Sequence, residues 1–551
     1  MASESTGSLE KAACKALLLG ALSLGCGLLL AAPAAPAAPP IPLAAVLPQP
    51  QRLQALENQA PFELDRRVQV WADPALRAPA QALARELGLR PARSGQAPAT
   101  GAPGRQIRLA LAKDLPAVAG AYRLRMAGEA LVIEAAEASG AFYAGQTLRQ
   151  LLPPAWRPRG DARVRLPAAE IEDAPRFAWR GLMLDVARHF HDAARVKRVI
   201  DQMAAYKLNR LHLHLSDDQG WRVQLRSLPR LSQVGGRGSH SQPNTGPARY
   251  FSEADVREIV RYAAARHIEV VPEIDMPGHS GAAARAYPEF FDGRVTFNPA
   301  KPETYRFIDT LLGDLVRLFP GRYLHFGGDE VWVNNTRWKD MPEVMALARK
   351  LTPADQAPQL KAVEADFARR VVQLIQKHGR IPIGWDEVIA AGLDDPALLV
   401  QWWRMDKPEA ARQALQQGQS LILSPSDRMY LDYAAGLGEP GAPWEGNTGG
   451  PVSVEKIVAW EPMPEGLSEA ERQRVLGIEA PLWTENVRSE SYLQFMLYPR
   501  LAAVAEVAWR QSANSSPAAF VKRLAPHIQR WKAQGLNVRG SLEDAHRYRL
   551  H

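Results

Sequence analysis

The chain has 551 residues, 46% of them apolar and 23% charged. That is a globular profile with room for more than one domain, and it excludes a largely disordered chain. Lys and Arg number 67 against 59 Asp and Glu. The net charge of +8 is spread among interleaved acids, with no basic block carrying aromatics, so nucleic acid is not an expected partner.

In chain order, residues 1–40 read as a signal peptide and a Pro/Ala-rich linker, and the Pro/Ala character runs on to residue 50. Lys11 and Lys15 precede an apolar run from Ala16 to Ala32, followed by AAPAAPAAPP. A basic start, an apolar stretch and A-x-A-like sites mark an export signal rather than a membrane anchor. The expectation is a periplasmic or secreted protein without a stable membrane span in the mature chain. LSLGC (22–26) has the outline of a lipoprotein box around Cys26, with Ser23 where such a box carries Leu. Cys14 and Cys26 are the only cysteines, so cleavage would leave a fold without disulfides.

Residues 41–173 read as a small α/β domain. Strand-length runs occur at 68–71, 107–112, 122–126 and 130–135, with Gly128 supplying a hairpin signal and helical stretches at 79–87 and 139–152. From Phe177 the pattern becomes strand, loop, helix, repeated. Strands are predicted at 181–187, 210–216, 268–274, 323–328, 381–385, 398–403, 420–424 and 475–483. Ser252 to Asp255 forms a capping box that opens a helix with Val256, Ile259 and Val260 on one face. The helix after the seventh strand is not clear. Eight such strands predict a (β/α)8 barrel over residues 174–515, followed by a C-terminal helical segment at 516–551.

A barrel of this kind places its site at the strand C-terminal ends, and polar residues gather there. The ends carry Asp185 and Arg188; Asp217 and Asp218; Asp275 and His279; Asp329 and Glu330; Trp385 and Asp386; Trp402 and Trp403; Tyr430 and Asp432; Trp483 and Glu485. Nine of the 14 Trp lie between Trp332 and Trp509. Carboxylates that bond hydroxyls, beside indoles that stack on ring faces, suit a sugar. HFGGDE (325–330) is the most informative stretch. Adjacent strand residues point to opposite faces, so Asp329 and Glu330 share a cleft only where the strand has ended, and Gly327 and Gly328 permit that departure. Two rival readings are a metal-dependent barrel hydrolase, suggested by the spacing of His212, His214 and Asp217, and a sugar-binding protein without catalysis. The first is weakened because the last four strands carry no His; the second because both carboxylates are present.

PRFAWRGLMLDVARHF (175–190), KLNRLHLHLSDDQGWR (207–222), VVPEIDMPGHSGAA (270–283), HFGGDEV (325–331), GWDEV (384–388), VQWWR (400–404), MYLDY (429–433) and EAPLWTEN (479–486) resemble the successive motifs of the β-N-acetylhexosaminidases of glycoside hydrolase family 20. The segment 121–152 resembles the small domain that precedes the barrel in that family. The resemblance implies a retaining, substrate-assisted exo-hydrolase with no cofactor and no metal. Its partner would be an oligosaccharide or glycoconjugate ending in N-acetylglucosamine or N-acetylgalactosamine. It implies Glu330 as general acid and then base, Asp329 as the group orienting the 2-acetamide, and Asp217–His279 as a relay to the acid. Trp385, Trp403 and Trp483 would wall the acetamido group, and Tyr430 would bond its oxygen. Arg188, Asp432 and Glu485 would hold sugar hydroxyls, and Trp444 would stack on the next sugar. A carboxylate neighbour and shielding indoles are expected to raise the Glu330 pKa. His212, His214 and His325 are expected as hydrogen-bonded barrel-interior residues, and Asp386 and Glu387 as loop anchors. The loops 230–250 and 434–460 lie outside the motifs and carry the choice of sugar and polymer. Oligomeric state leaves no mark in the sequence.

Overall fold

The computed structural model describes residues 41–94, 104–154, 156, 162–332, 336–443, 450–511 and 516–539. The signal and linker residues, and Trp444, lie outside them. Among the described residues no helix is long and apolar enough to cross a membrane.

The first layer is a seven-stranded sheet in the order β1-β9-β6-β7-β5-β3-β4, with a separate pair β2-β8. Its strands are β1 (Arg52–Ala55), β2 (Phe62–Leu64), β3 (Gln69–Ala72), β4 (Arg93–Ser94), β5 (Gln106–Leu111), β6 (Tyr122–Ala127), β7 (Ala130–Ala135), β8 (Val164–Leu166) and β9 (Ala169–Asp173). The predicted hairpin is β6-β7, turned at Gly128 with φ 57°. Helices Arg77–Leu87 and Ala138–Gln150 cover the sheet. Residues 41–50 are not a linker throughout: Ile41, Val46 and Leu47 are buried, and Leu47 N–H donates to Gln150 Oε1 at 3.0 Å. The apolar side chains outweigh the Pro/Ala composition. The C-terminal helix Pro517–Ala533 packs on this segment, since His527 Nε2 lies 2.9 Å from Ala45 O, and it also reaches the end of the second helix, where Arg530 donates to Leu152 O at 2.7 Å.

The second layer is a closed parallel barrel of β10 (Trp179–Asp185), β11 (Arg210–His214), β12 (Glu269–Glu273), β13 (Tyr323–His325), β14 (Ile381–Trp385), β15 (Leu399–Trp402), β16 (Ser420–Leu423) and β17 (Val475–Leu482), closed by β10 against β17. Each of the eight overlaps its predicted run; β10 lies two residues earlier than predicted, and β13 ends at His325, three residues short. Helices such as Ala193–Ala205, Glu253–Ala264 and Pro302–Leu318 return the chain between strands. The predicted capping box is present: Ser252 Oγ accepts from Asp255 N at 3.1 Å and Asp255 Oδ2 accepts from Ser252 N at 2.9 Å. Between β16 and β17 the described residues form only three short helices, Ser426–Met429, Val454–Val458 and Glu469–Arg474, which is why no clear helical period appears there.

Side chains two apart on a strand share a face, and this alternation layers the barrel interior. Trp179, Val271, Tyr323, Ile383, Leu399 and Ile422 form one apolar layer. Two residues on from four of these, Glu273, His325, Trp385 and Gln401 form the next layer with His212 and Glu479, and all six are buried. Burying so many polar groups is tolerable only if they are hydrogen-bonded. Glu479 accepts from Trp179 Nε1 at 2.8 Å and from Gln401 Nε2 at 3.0 Å, and lies 2.8 Å from His212 Nδ1. Gly181 leaves it room, since a Cβ there would stand 2.3 Å from Glu479 Oε2.

Candidate active site

Above the polar layer, β13 stops at His325 and the chain turns sharply. Gly327 and Gly328 take φ of 72° and 93°, and Glu330 itself takes 50°. A Cβ on Gly327 would lie 1.8 Å from Asp275 Oδ1. The glycine is thus required both by its left-handed backbone and by the Asp275 carboxyl group packed on it. The same Asp275 oxygen accepts from Gly328 N at 3.3 Å, and Gly327 O accepts from Trp385 N at 2.9 Å. The turn delivers Asp329 and Glu330 to one cleft. His279 is also left-handed, with φ 47°. Two non-glycine residues in this region mark stored backbone strain, ~1–3 kcal/mol each, of the kind that collects at functional sites.

These two strained residues meet. His279 Nε2 lies 3.3 Å from Glu330 Oε2 and 3.6 Å from Asp329 Oδ2, and its Nδ1 lies 3.3 Å from Asp217 Oδ1. Arg188 Nη2 pairs with Asp217 Oδ2 at 2.7 Å, and its Nε lies 3.7 Å from Glu485 Oε1. Asp185 ties the mouths of β10 and β17 together by accepting from Thr484 N and Oγ1, both at 3.0 Å.

A cavity of about 360 Å³ opens here. Its lining includes Arg188, His279, Asp329, Glu330, Trp385, Trp403, Tyr430, Asp432, Trp483 and Glu485. Of the residues expected at the site, only Asp217, behind His279, and Trp444, outside the described residues, do not line it. The aromatic side is built as a box: Trp403 stacks on Tyr430 (6.0 Å between centroids, 18°), Tyr430 meets Trp483 at 6.3 Å, and Trp483 meets Trp385 at 6.0 Å. Trp402, its neighbour, packs against the core instead and donates to Lys407 O. Asp386 and Glu387 hold Trp403, accepting from its N at 3.2 Å and its Nε1 at 3.1 Å. Sequence reasoning missed Tyr433, Pro443 and Asn486 in the wall. Tyr433 and Asn486 stand inside the MYLDY and TEN motifs, which was the available signal; Pro443 had none.

The charges correct one expectation. Glu330 is not raised: the His279 hydrogen bond holds it below the usual carboxylate range, outweighing burial. The raised carboxyl is Asp329, pushed up to about 6 by burial and then by the Glu330 and Glu273 charges, against the pull of His279. Burial opposes charge on His279, but Asp217 and the Glu330 hydrogen bond outweigh it and hold the imidazole well above its ordinary range. Asp217 is likewise kept well below its range, in spite of burial, by Arg188, His279 and His214. In the free protein the proton nearest Glu330 therefore sits on His279. Asp432 and Glu485 are both raised, first by burial. The imidazoles that suggested a metal spacing face carboxylates: His214 Nε2 lies 2.9 Å from Asp217 Oδ2, and His212 Nε2 3.1 Å from Glu273 Oε2.

A closed parallel barrel whose strand ends gather paired carboxylates, an imidazole and an aromatic box defines a barrel of the glycoside-hydrolase class. The model of the glycosyl hydrolase family 20 catalytic domain matches residues 177–512, and that of domain 2 of the same family matches residues 44–174. The chain belongs to glycosyl hydrolase family 20. It is 34% identical over 452 residues to a beta-hexosaminidase of Porphyromonas gingivalis, covering 79% of this chain and 56% of that one. It is 36% identical over 417 residues to a beta-hexosaminidase of Vibrio furnissii, covering 70% and 64%. The chain thus spans less than two thirds of the length of these two curated relatives. The solved structure of the GH20 beta-N-acetylhexosaminidase from Streptomyces coelicolor A3(2) superposes with a TM-score of 0.77 at 36% identity, over 92% of this chain and 99% of that one.

Proposed function

We propose that the chain is an exo-acting β-N-acetylhexosaminidase that removes terminal N-acetylglucosamine or N-acetylgalactosamine with retention. The observation that carries the reading is the pairing of Asp329 and Glu330 at one strand end, His279 behind both, facing the box of Trp385, Trp403, Tyr430 and Trp483.

In this reading the sugar's 2-acetamido oxygen attacks the anomeric carbon as the bond to the leaving oxygen breaks. Glu330 protonates that oxygen. The ring so formed is an oxazolinium, and Asp329 stabilises the positive charge on its nitrogen. Water then attacks the anomeric carbon, giving up its proton to Glu330, and the acetamide is released. This is the substrate-assisted exception to the two-carboxylate scheme. Glu330 is 36% exposed in the side chain. An arriving leaving-group sugar covers that surface and disfavours the carboxylate, so the proton held by His279 passes to Glu330 as substrate binds. Arg188, Asp432 and Glu485 receive hydroxyls, and the indoles bend the acetamide beneath the anomeric carbon.

The test compares a 4-nitrophenyl N-acetyl-β-glucosaminide with the plain β-glucoside. The first should turn over and the second, lacking the nucleophile, should be a poor substrate even when bound. Equal turnover of the two would refute the reading. We propose in addition that the protein is exported; a mature N-terminus within the Pro/Ala-rich segment, found by mass spectrometry of the extracytoplasmic fraction, is the expected result, and an intact chain confined to the cytoplasmic fraction the contrary one.

A further inference from the structure

The contacts behind Glu330 do not stop at Asp217. His214 Nε2 lies 2.9 Å from the second Asp217 oxygen, and His214 Nδ1 bonds Glu273 Oε2. Both ring nitrogens thus meet carboxylate oxygens, which only a doubly protonated imidazole serves with two donors. Glu273 is completely buried, and its other oxygen accepts the Trp385 indole N–H at 3.0 Å. One buried carboxylate therefore touches both the acetamido wall and the far end of the relay to the acid. Neither Glu273 nor His214 lines the cavity.

We infer that Glu273 and His214 are positioning residues: Glu273 holds His214 as an imidazolium, and that fixed charge keeps Asp217 ionised and turned toward His279. The inference rests on the reading of Glu330 as the acid. A carboxylate buried as deeply as Asp217 needs opposite charge to stay ionised. Arg188 supplies it from the cavity side at 2.7 Å, and His214 from the barrel interior at 2.9 Å. A protonated Asp217 would no longer hold the His279 proton in place. Groups of both signs surround the pair, and the two carboxylates in direct contact with His214 are Glu273 and Asp217. His212 stands beside it on β11, Glu273 and Asp275 face it from β12 and its loop, His325 from β13, and Glu479 from β17 through His212. Arg188 opposes it from beyond Asp217, His212 on the same strand is itself raised to about 9, His279 carries its proton across Asp217, and the Trp483 ring lies edge-on at 5.0 Å. Burial also opposes the charge, yet Glu273 and Asp217 hold His214 well above the ordinary histidine range.

Two measurements test this on the full chain. The first is ¹⁵N NMR of the histidine rings between pH 6 and 8, with His214 assigned by its loss in His214→Gln or His214→Asn. The expected result is a ring protonated on both nitrogens throughout, changed to a neutral tautomer in Glu273→Gln. A neutral His214 in the wild type at pH 7, or an imidazolium untouched by Glu273→Gln, overturns the proposal. The second is the pH profile of kcat/KM. Removing the imidazolium makes Asp217 easier to protonate, so the acid limb of His214→Gln should move to higher pH by about one unit or more. The loss should then be at least ~10-fold greater at the acid end than at neutrality. A uniform loss at every pH is what a merely structural role gives, and it overturns the proposal. Absence of any wild-type turnover would sink the activity reading instead, and the NMR result would still decide the charge on His214.

Discussion

Replacing Gly327 by Ala adds one methyl group where the structure has least room for it. The new Cβ would stand 1.8 Å from Asp275 Oδ1 and 2.3 Å from its Cγ, with a backbone φ of 72°. The left-handed conformation alone costs an alanine ~1–2 kcal/mol. The contact cannot be tolerated in place, so the Asp275 carboxyl must retreat by more than an ångström to reach an ordinary separation. Its retreat breaks the bond to Gly328 N at 3.3 Å, which contributes ~0.5–1.5 kcal/mol, since burial and the Asp329 charge push the Asp275 carboxyl well above the usual carboxylate range. The reaction suffers as well, because Gly328 precedes Asp329 and a ~1 Å displacement of a reacting group costs on the order of 10²-fold. Gly327→Ala should therefore lower the thermal midpoint by several degrees and cut kcat on a chromogenic N-acetylglucosaminide by about two orders of magnitude. Scanning calorimetry and initial rates measure both. An unshifted midpoint, or a kcat close to that of wild type, would refute the placement of Asp275 against this turn.

Glu330→Gln keeps the shape and loses the proton, so hydrolysis of unactivated chitobiose should fall by roughly 10²–10⁴-fold, with a smaller loss on nitrophenyl substrates; a wild-type rate on chitobiose would contradict the role of Glu330. Asp329, pushed up to about 6, takes up its proton as pH falls through that value, so turnover should decline there, and a profile flat from pH 7 to 5 would contradict its role. The same raised pKa means that the folded state binds this proton more tightly than the unfolded chain. Its contribution thus lowers stability as pH rises from about 4 to 6, and Asp329→Asn should raise the thermal midpoint at pH 7 while reducing turnover; a lowered midpoint would count against it. Activity should persist in excess EDTA, because the buried imidazoles are engaged by carboxylates; a loss restored by Zn²⁺ would favour a metal-dependent reaction.

The barrel was legible because its strands are apolar runs of strand length that end in charged or aromatic residues, as at LHLHLSDD and VVPEIDMPGH. The Asp329–Glu330 turn was legible because two glycines can be read directly as backbone freedom. What escaped was set by distant residues. β1 and β9 carry polar residues at alternate positions and become strands by pairing with each other, with β9 also pairing β6. Residues 41–50 look like linker until the C-terminal helix is placed over them. Glu273 and Glu479 sat unnoticed within apolar runs, since nothing local tells that three imidazoles and two indoles converge on them. The direction of the Glu330 shift was misjudged for the same reason: His279, 51 residues earlier in the sequence, comes within hydrogen-bonding reach only in the fold.

The central claim is that the substrate's own acetamide is the nucleophile, and the stereochemistry of the product tests it most directly. Attack by the acetamide and then by water inverts the anomeric carbon twice. Proton NMR of the first-formed sugar, recorded before mutarotation, should therefore show the β-anomer from a β-linked substrate. The α-anomer appearing first would mean a single displacement by water, and would contradict the mechanism built on Asp329, Glu330 and the aromatic box.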